Sequence, residues 1–396
     1  MKKKNKKLKL NKYYLRRMFA FIIIIIVIIS FRNILKNIKE KNMYKELSVL
    51  INNEFVNLKN DVIIDENKNI YFSKEDIQSI FDETIYYNDA EKELITTFNK
   101  HIALLKTDEN YMLVNDSNVE LKGKMQEING KVYLPITDLE IVYDIETVYS
   151  EKSNRVIIDS ISKKKVKGVI NKKVSLKEKK KLFSKKIEKI EMGDNVVILE
   201  TKGNYKKIRT SLGNIGYVKK KRISDEEVLR EDMNESLTEI KVYKEYSNVS
   251  GIYDNITVDE SLLNVVIPTF FYLDKNSKIL DKTTSSTAAY ANYTKWVEEN
   301  KLSILPTLSN NQSVSSSLLT YSQRNQAINS LYNLIIKYQY KGINVKFDTI
   351  DDVNSFYRFI IELTPKFKES GLIVSVTMNK NLDKAKLEKI VDYVFE

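Results

Sequence analysis

Residues 340–348 read Tyr340-Lys341-Gly342-Ile343-Asn344-Val345-Lys346-Phe347-Asp348, a short run that enters through Gly342 and leaves through charged residues. Gly342–Phe347 is expected to be a strand, with alternate side chains on one face. Upstream, Arg324–Tyr340 places Ile328, Leu331, Leu334, Ile335 and Tyr338 at helical spacing. Downstream, Asp351–Ser370 does the same with Val353, Phe356, Tyr357, Ile360, Leu363 and Phe367. Pro365 is expected to bend that helix near its end, and Gly371 to close it. Ile240–Tyr246, Leu263–Pro268, Ser303–Leu308 and Leu372–Thr377 are further strand candidates, and another begins at Val391. Strands alternating with amphipathic helices predict parallel βα units over residues 226–396.

The whole chain has 396 residues, which suggests two or three domains. It has no Cys and one His, His101, which excludes thiolate chemistry, disulfides and a multi-histidine metal site, and disfavours a Ser-His-Asp triad. No metal site or cofactor is expected. The net charge of +12 is uneven: residues 1–17 carry nine Lys/Arg and no acid, residues 161–225 carry +15, and the remainder is −12. Met18–Phe31 (MFAFIIIIIVIISF) is uncharged and follows the basic tail. Tyr13, Tyr14, Leu15, Ile34 and Leu35 extend the apolar stretch while Arg16, Arg17 and Arg32 snorkel. The expectation is a basic cytoplasmic tail over 1–17 and a transmembrane signal anchor over 18–35, with the bulk outside by the positive-inside rule. A cleaved signal peptide is the alternative.

Ile70–Thr96 aligns without a gap on Val132–Ile158 at an offset of 62 residues. Tyr71, Asp76, Asp82, Tyr87 and Ile95 match Tyr133, Asp138, Asp144, Tyr149 and Ile157. Each copy reads strand, short helix, strand, turn, strand. The matching Asp and Tyr residues are read as packing and turn residues, and His101, in the apolar context HIALL, as structural. The repeats resemble the copper amine oxidase N-terminal-like domain of exported bacterial cell-wall proteins, and the α+β repeat domain is set at 46–160. The name carries no copper chemistry, because no ligand cluster accompanies it.

Residues 163–225 alternate short strands with Gly193-Asp194 and Gly203-Asn204 turns. Met192-Gly193-Asp194, Tyr205-x-x-Ile208-Arg209 and Gly216-Tyr217-Val218 resemble a bacterial SH3-like domain, a small all-β barrel. The resemblance implies binding of peptidoglycan or its peptide stems, with Tyr205 and Tyr217 as candidate contacts. Lys163–Lys189 holds 13 Lys against Glu178 and Glu188. That excess suits polyanionic wall polymers or lipid headgroups, or simply a solvated surface. Nucleic acid is disfavoured by the expected location and by the lack of an aromatic-basic platform.

Residues 237–396 resemble glycoside hydrolase family 18. The carriers are Val265–Phe271, Tyr293-x-x-Trp296-Val297, Tyr340–Asp348, Phe359-Ile360-x-Glu362-Leu363-Thr364-Pro365 and Gly371–Val376. The resemblance implies a TIM-type barrel whose fourth strand carries Asp-x-x-Asp-x-Asp-x-Glu, with the Glu as general acid and the substrate's N-acetyl carbonyl as nucleophile. Here Lys341, Asn344, Lys346 and Asp348 stand at those four acidic positions. Asp348 is one methylene shorter than the Glu it replaces, and Lys346 puts a cation beside it, where an ion pair is the simple expectation. A cation lowers a carboxyl pKa, whereas a general acid needs a raised one. Five strands and the start of a sixth are counted against the eight of a full barrel. The expectation is thus a partial α/β barrel, completed by another chain, unstable, or cut from an interrupted gene.

The sequence therefore reads as a multidomain, membrane-anchored protein that binds cell-wall glycan or peptidoglycan. Its family 18-like domain is degenerate; Asp348 is the catalytic candidate, and Asn344 and Lys346 are candidate substrate contacts. The alternative is a weak N-acetylglucosaminidase using Asp348 as general acid.

Overall fold

The computed structural model describes residues 46–181, 183–231, 243–246, 264–285, 287–310 and 317–396. The segments expected as cytoplasmic tail and anchor, 1–17 and 18–35, lie outside the described residues. Among the described residues no helix is long and apolar enough to cross a membrane. The chain divides into two compact units. The first holds 46–57, 147–159 and 163–231; the second holds 58–146, 160–162 and the described residues from 243 onward.

In the second unit the repeat generates a local two-fold. Strand Ile70–Ser73 pairs antiparallel with Lys131–Pro135, and Phe72 lies opposite Leu134, its own counterpart at the 62-residue offset. Each strand is flanked by its preceding strand, Ile63–Ile64 and Gln126–Ile128, giving a symmetric four-stranded sheet. Helix α1 (Lys74–Ile80) follows the first strand of the first copy and α2 (Glu140–Tyr143) that of the second. Ser73 caps α1 by accepting from the Asp76 N–H. The repeated acids do structural work. Asp76 accepts from the Lys59 N–H at 2.6 Å and Asp138 from the Gly123 N–H at 2.9 Å, so each ties down the strand entering its copy. Asp82 accepts from Thr84, Thr96 and the Thr97 N–H and shapes the following turn. After it, Tyr86–Asn88 and Glu93–Phe98 open a five-stranded antiparallel meander that runs to Glu120.

The rest of this unit is an eight-stranded sheet whose main path is six parallel strands in chain order: β1 (Tyr243–Tyr246), β2 (Val265–Leu273), β3 (Thr307–Asn310), β4 (Gly342–Val345), β5 (Ile373–Thr377) and β6 (Tyr393–Phe395); Ser303–Ile304 also pairs parallel and Ile279–Asp281 antiparallel with β2. Helices α3 (Thr287–Glu299), α4 (Tyr321–Lys337), α5 (Val353–Glu369) and the single turn α6 (Lys384–Leu387) connect them. One face of the sheet contributes Val266, Leu308, Ile343, Val345, Val374 and Val376 to the main core, packed with Leu331 and Ile335 of α4 and Phe356, Phe359 and Phe367 of α5. Each such side chain, fully buried, contributes about 1.5–3 kcal/mol. The other face carries a smaller cluster of Val265, Ile267, Leu305 and Phe395. Gly342 is required here, because a Cβ would sit 1.9 Å from the Ile373 carbonyl oxygen.

In the first unit, residues 165–230 form a seven-stranded antiparallel sheet. Ile190 of one edge strand and Ile223 of the other share a core with Ile170, Leu176, Val196, Ile208 and Val218, so the sheet is rolled about that core. Gly193 and Gly203 turn at φ +90° and +59°, a conformation that favours glycine. Gly216 admits a close crossing, since a Cβ there would lie 2.6 Å from the Lys177 carbonyl. Ser48–Ile51 pairs parallel with residues 155–158, and both belong to the same unit. The Arg209 guanidinium forms a two-pronged pair with Asp159, both bonds 2.6 Å, and reaches the Asn53 side chain at 2.8 Å.

Candidate functional site

The C-terminal ends of β3, β4 and β5 bring Asn310, Asp348 and Asn379 together. The Asn310 side-chain oxygen accepts from the Asp348 N–H at 2.9 Å, and the Asn379 amide donates to the Phe347 and Asp348 carbonyls at 3.0 and 3.1 Å. The backbone of the turn is therefore pinned from both neighbouring strands, while the Asp348 side chain is exposed. Its carboxylate makes no hydrogen bond or ion pair among the described residues. The Lys346–Asp348 ion pair expected from the sequence is not formed. The strand ends at Val345, so the alternation that would align the two side chains stops before them.

Asn344 sits one turn of the pleat deeper and is fully buried. Its amide donates to the Thr307 and Thr377 hydroxyls at 3.1 and 3.0 Å and accepts from Ser375 at 2.9 Å. Such a satisfied polar ladder fixes strand register; it leaves no donor or acceptor facing outward. Lys346 is half-buried at the strand end. The strand end thus offers one water-exposed carboxylate and two asparagines. Chemically this suits hydrogen bonding or cation attraction.

Tyr205 and Tyr217 come together on the outer face of the rolled sheet. Lys207 lies opposite Tyr217 and Lys219 opposite Tyr205 on adjacent strands, so the face alternates ring and ammonium. The ammonium of Lys180 rests 5.2 Å from the Tyr217 ring centroid. The intervening residues Lys206, Ile208 and Val218 point into the core, and the Lys206 ammonium is held by Glu226. Arg209, part of the sequence motif, is buried against Asp159. Burial works against the Asp159 charge, but Arg209 and Lys165 hold its carboxyl below the ordinary range.

The sequence reading gave no role to a buried cluster in the second unit. Arg324 of α4 donates through Nε to Glu362 of α5 at 2.8 Å, and through its terminal nitrogens to the Leu318 and Leu319 carbonyls and the Tyr86 hydroxyl, each at 2.8 Å. Tyr86, on the repeat hairpin, donates to the same Glu362 oxygen. The other Glu362 oxygen is buried with no hydrogen-bond partner. Burial pushes the Glu362 carboxyl up to about 7, against the pull of Arg324 and Tyr86. The available signal was a lone carboxylate inside the apolar run Phe359–Pro365, which called for a cationic partner.

Residues 50–158 hold one His and no Cys. His101 is half-buried, with Nε2 3.8 Å from Asp144. Among the described residues no three His, Cys, Asp or Glu side chains converge. This donor set does not fit copper.

Residues 50–158 match the family model described as copper amine oxidase N-terminal domain. No curated protein matches the chain. Solved structures similar to it include a chitinase from Chromobacterium violaceum (20% identity, TM-score 0.34, covering 39% of this chain and 55% of that one). A chitinase from Bacteroides thetaiotaomicron (12%, 0.34, 39% and 53%) is also similar. So is the Group IV chitinase of Ostrinia furnacalis (18%, 0.32, 39% and 50%). The chain spans about half the length of these structures. It is therefore similar to the copper amine oxidase N-terminal domain over residues 50–158 and, at low identity, to part of several chitinases.

Proposed function

We propose that the protein is a membrane-anchored component of the cell envelope that binds anionic wall glycan or peptidoglycan, and that its chitinase-like region does not hydrolyse. The observation that carries this reading is the alternating Tyr205, Lys207, Tyr217, Lys219 face. Tyrosine planes suit the apolar faces of sugar rings, and the lysines between them suit carboxylates or phosphates. Exposed Lys172, Lys181, Lys185, Lys186 and Lys189 lie in the same module and add long-range attraction. The anchor at 18–35 rests on the sequence alone.

The hydrolytic alternative is disfavoured because Asp348 is solvated and the Asn344 amide is already fully engaged. Sedimentation of the full chain with purified wall material tests the binding reading. Binding that weakens with salt supports it, because screening shortens the reach of surface charge. Release of sugars from N-acetylglucosamine oligomers by the native chain would instead restore the enzyme reading.

A further inference from the structure

We propose that a cleft within the second unit, between the turn before Tyr86 and helices α5 and α6, binds a sugar bearing a carboxylate or phosphate. Two adjoining hollows of about 450 and 590 Å³ share Glu83, Thr84, Ile361 and Lys389 as walls. The Lys389–Glu83 ion pair, 2.5 Å, marks the junction between them. Hydroxyls and amides of Thr84, Thr97 and Asn99 line the smaller hollow, and Asn354 lines the larger.

The larger hollow also holds Arg358 and Lys386. The Arg358 guanidinium lies 4.5 Å from the Tyr86 ring centroid, and the Lys386 ammonium 3.8 Å from that of Tyr357. Neither cation makes an ion pair among the described residues. The acids that face them are engaged elsewhere: Glu83 with Lys389, Asp383 in capping α6, Asp352 in capping α5, and Glu362 with Arg324. Two cations parked on tyrosine rings in a concave, amide-lined site leave room for an incoming anion. A ring face holds a cation less strongly than a charge-assisted hydrogen bond does, so an anion draws both cations to itself. The preference for charge follows from these residues; the choice of a sugar as its carrier rests on the wall-glycan reading.

The test is equilibrium binding of three probes to the full chain: the N-acetylglucosamine–N-acetylmuramic acid disaccharide, a glycerol phosphate oligomer, and neutral di-N-acetylchitobiose. At least one anionic probe is expected to bind about tenfold more tightly than the neutral one. The two anionic arms tell carboxylate from phosphate. Arg358→Gln/Lys386→Gln, at one half-buried and one exposed position, should remove that preference while thermal melting shows the chain still folded. Tyr205→Ala/Tyr217→Ala should leave it intact, which separates this site from the wall-binding face. Equal affinity for all three probes, or a preference that survives Arg358→Gln/Lys386→Gln, would overturn the proposal.

Discussion

Arg209 and Lys207, two positions apart on one strand, divide the charge of the basic module between structure and surface. Arg209 is buried with both prongs on Asp159, and Lys207 stands on the outer face beside Tyr217. Removing one partner of a buried pair strands the other charge, so Arg209→Ala should lower stability by about 3 kcal/mol, read by denaturant unfolding. Because the folded Asp159 carboxyl sits below its ordinary 3.8, its contribution is present above that value. It is lost as pH falls through the lower folded value, so the native chain should weaken there and Arg209→Ala should lose that acid sensitivity. Glu362 has the opposite sign. Its folded value is raised from 4.5 to about 7, so the fold is favoured at low pH and loses stability as pH rises through that window. Glu362→Gln should flatten the pH dependence of melting between those values. At Asp348 the account expects no change: Asp348→Asn should leave both wall binding and any trace hydrolysis where they were.

At the scale of elements, the apolar periodicity of α4 and α5 was readable, and the ends were less so. The spacing predicts α4 over Arg324–Tyr340, whereas the helix runs Tyr321–Lys337. Thr320 and Gln323 form a reciprocal capping box that starts it a turn earlier, a local signal that apolar spacing does not register. Thr320→Ala should cost about 1 kcal/mol, measured by thermal melting. The sequence predicts one apolar face for α5, but Ile361, Glu362, Thr364 and Pro365 are buried as well. Glu362 reaches Tyr86 on the repeat hairpin, a pairing 276 residues apart that no local pattern carries. The repeat was legible in more depth. Its 62-residue offset places Phe72 opposite Leu134, and the acids read as turn and packing residues hold backbone N–H groups. What the offset did not carry is where the last strand of each copy lies: residues 155–159 belong to one compact unit and their counterparts in Glu93–Phe98 to the other.

For the whole molecule, the candidate site was partly legible. Tyr205 and Tyr217 were named from sequence motifs, but the lysines that alternate with them needed the strand register. Asn344 and Asp348 were read from a motif, and burial decides their meaning: Asn344 is locked in the sheet, and Asp348 faces water. Both findings move the account from hydrolysis toward binding. Its most direct test is sedimentation of the full chain with purified wall material, native against Tyr205→Ala/Lys207→Ala/Tyr217→Ala, at low and high salt. The account predicts that the native chain sediments at low salt and less at high salt, and that the triple variant binds about tenfold more weakly while remaining folded. Equal sedimentation of the two proteins, or binding indifferent to salt, would contradict it.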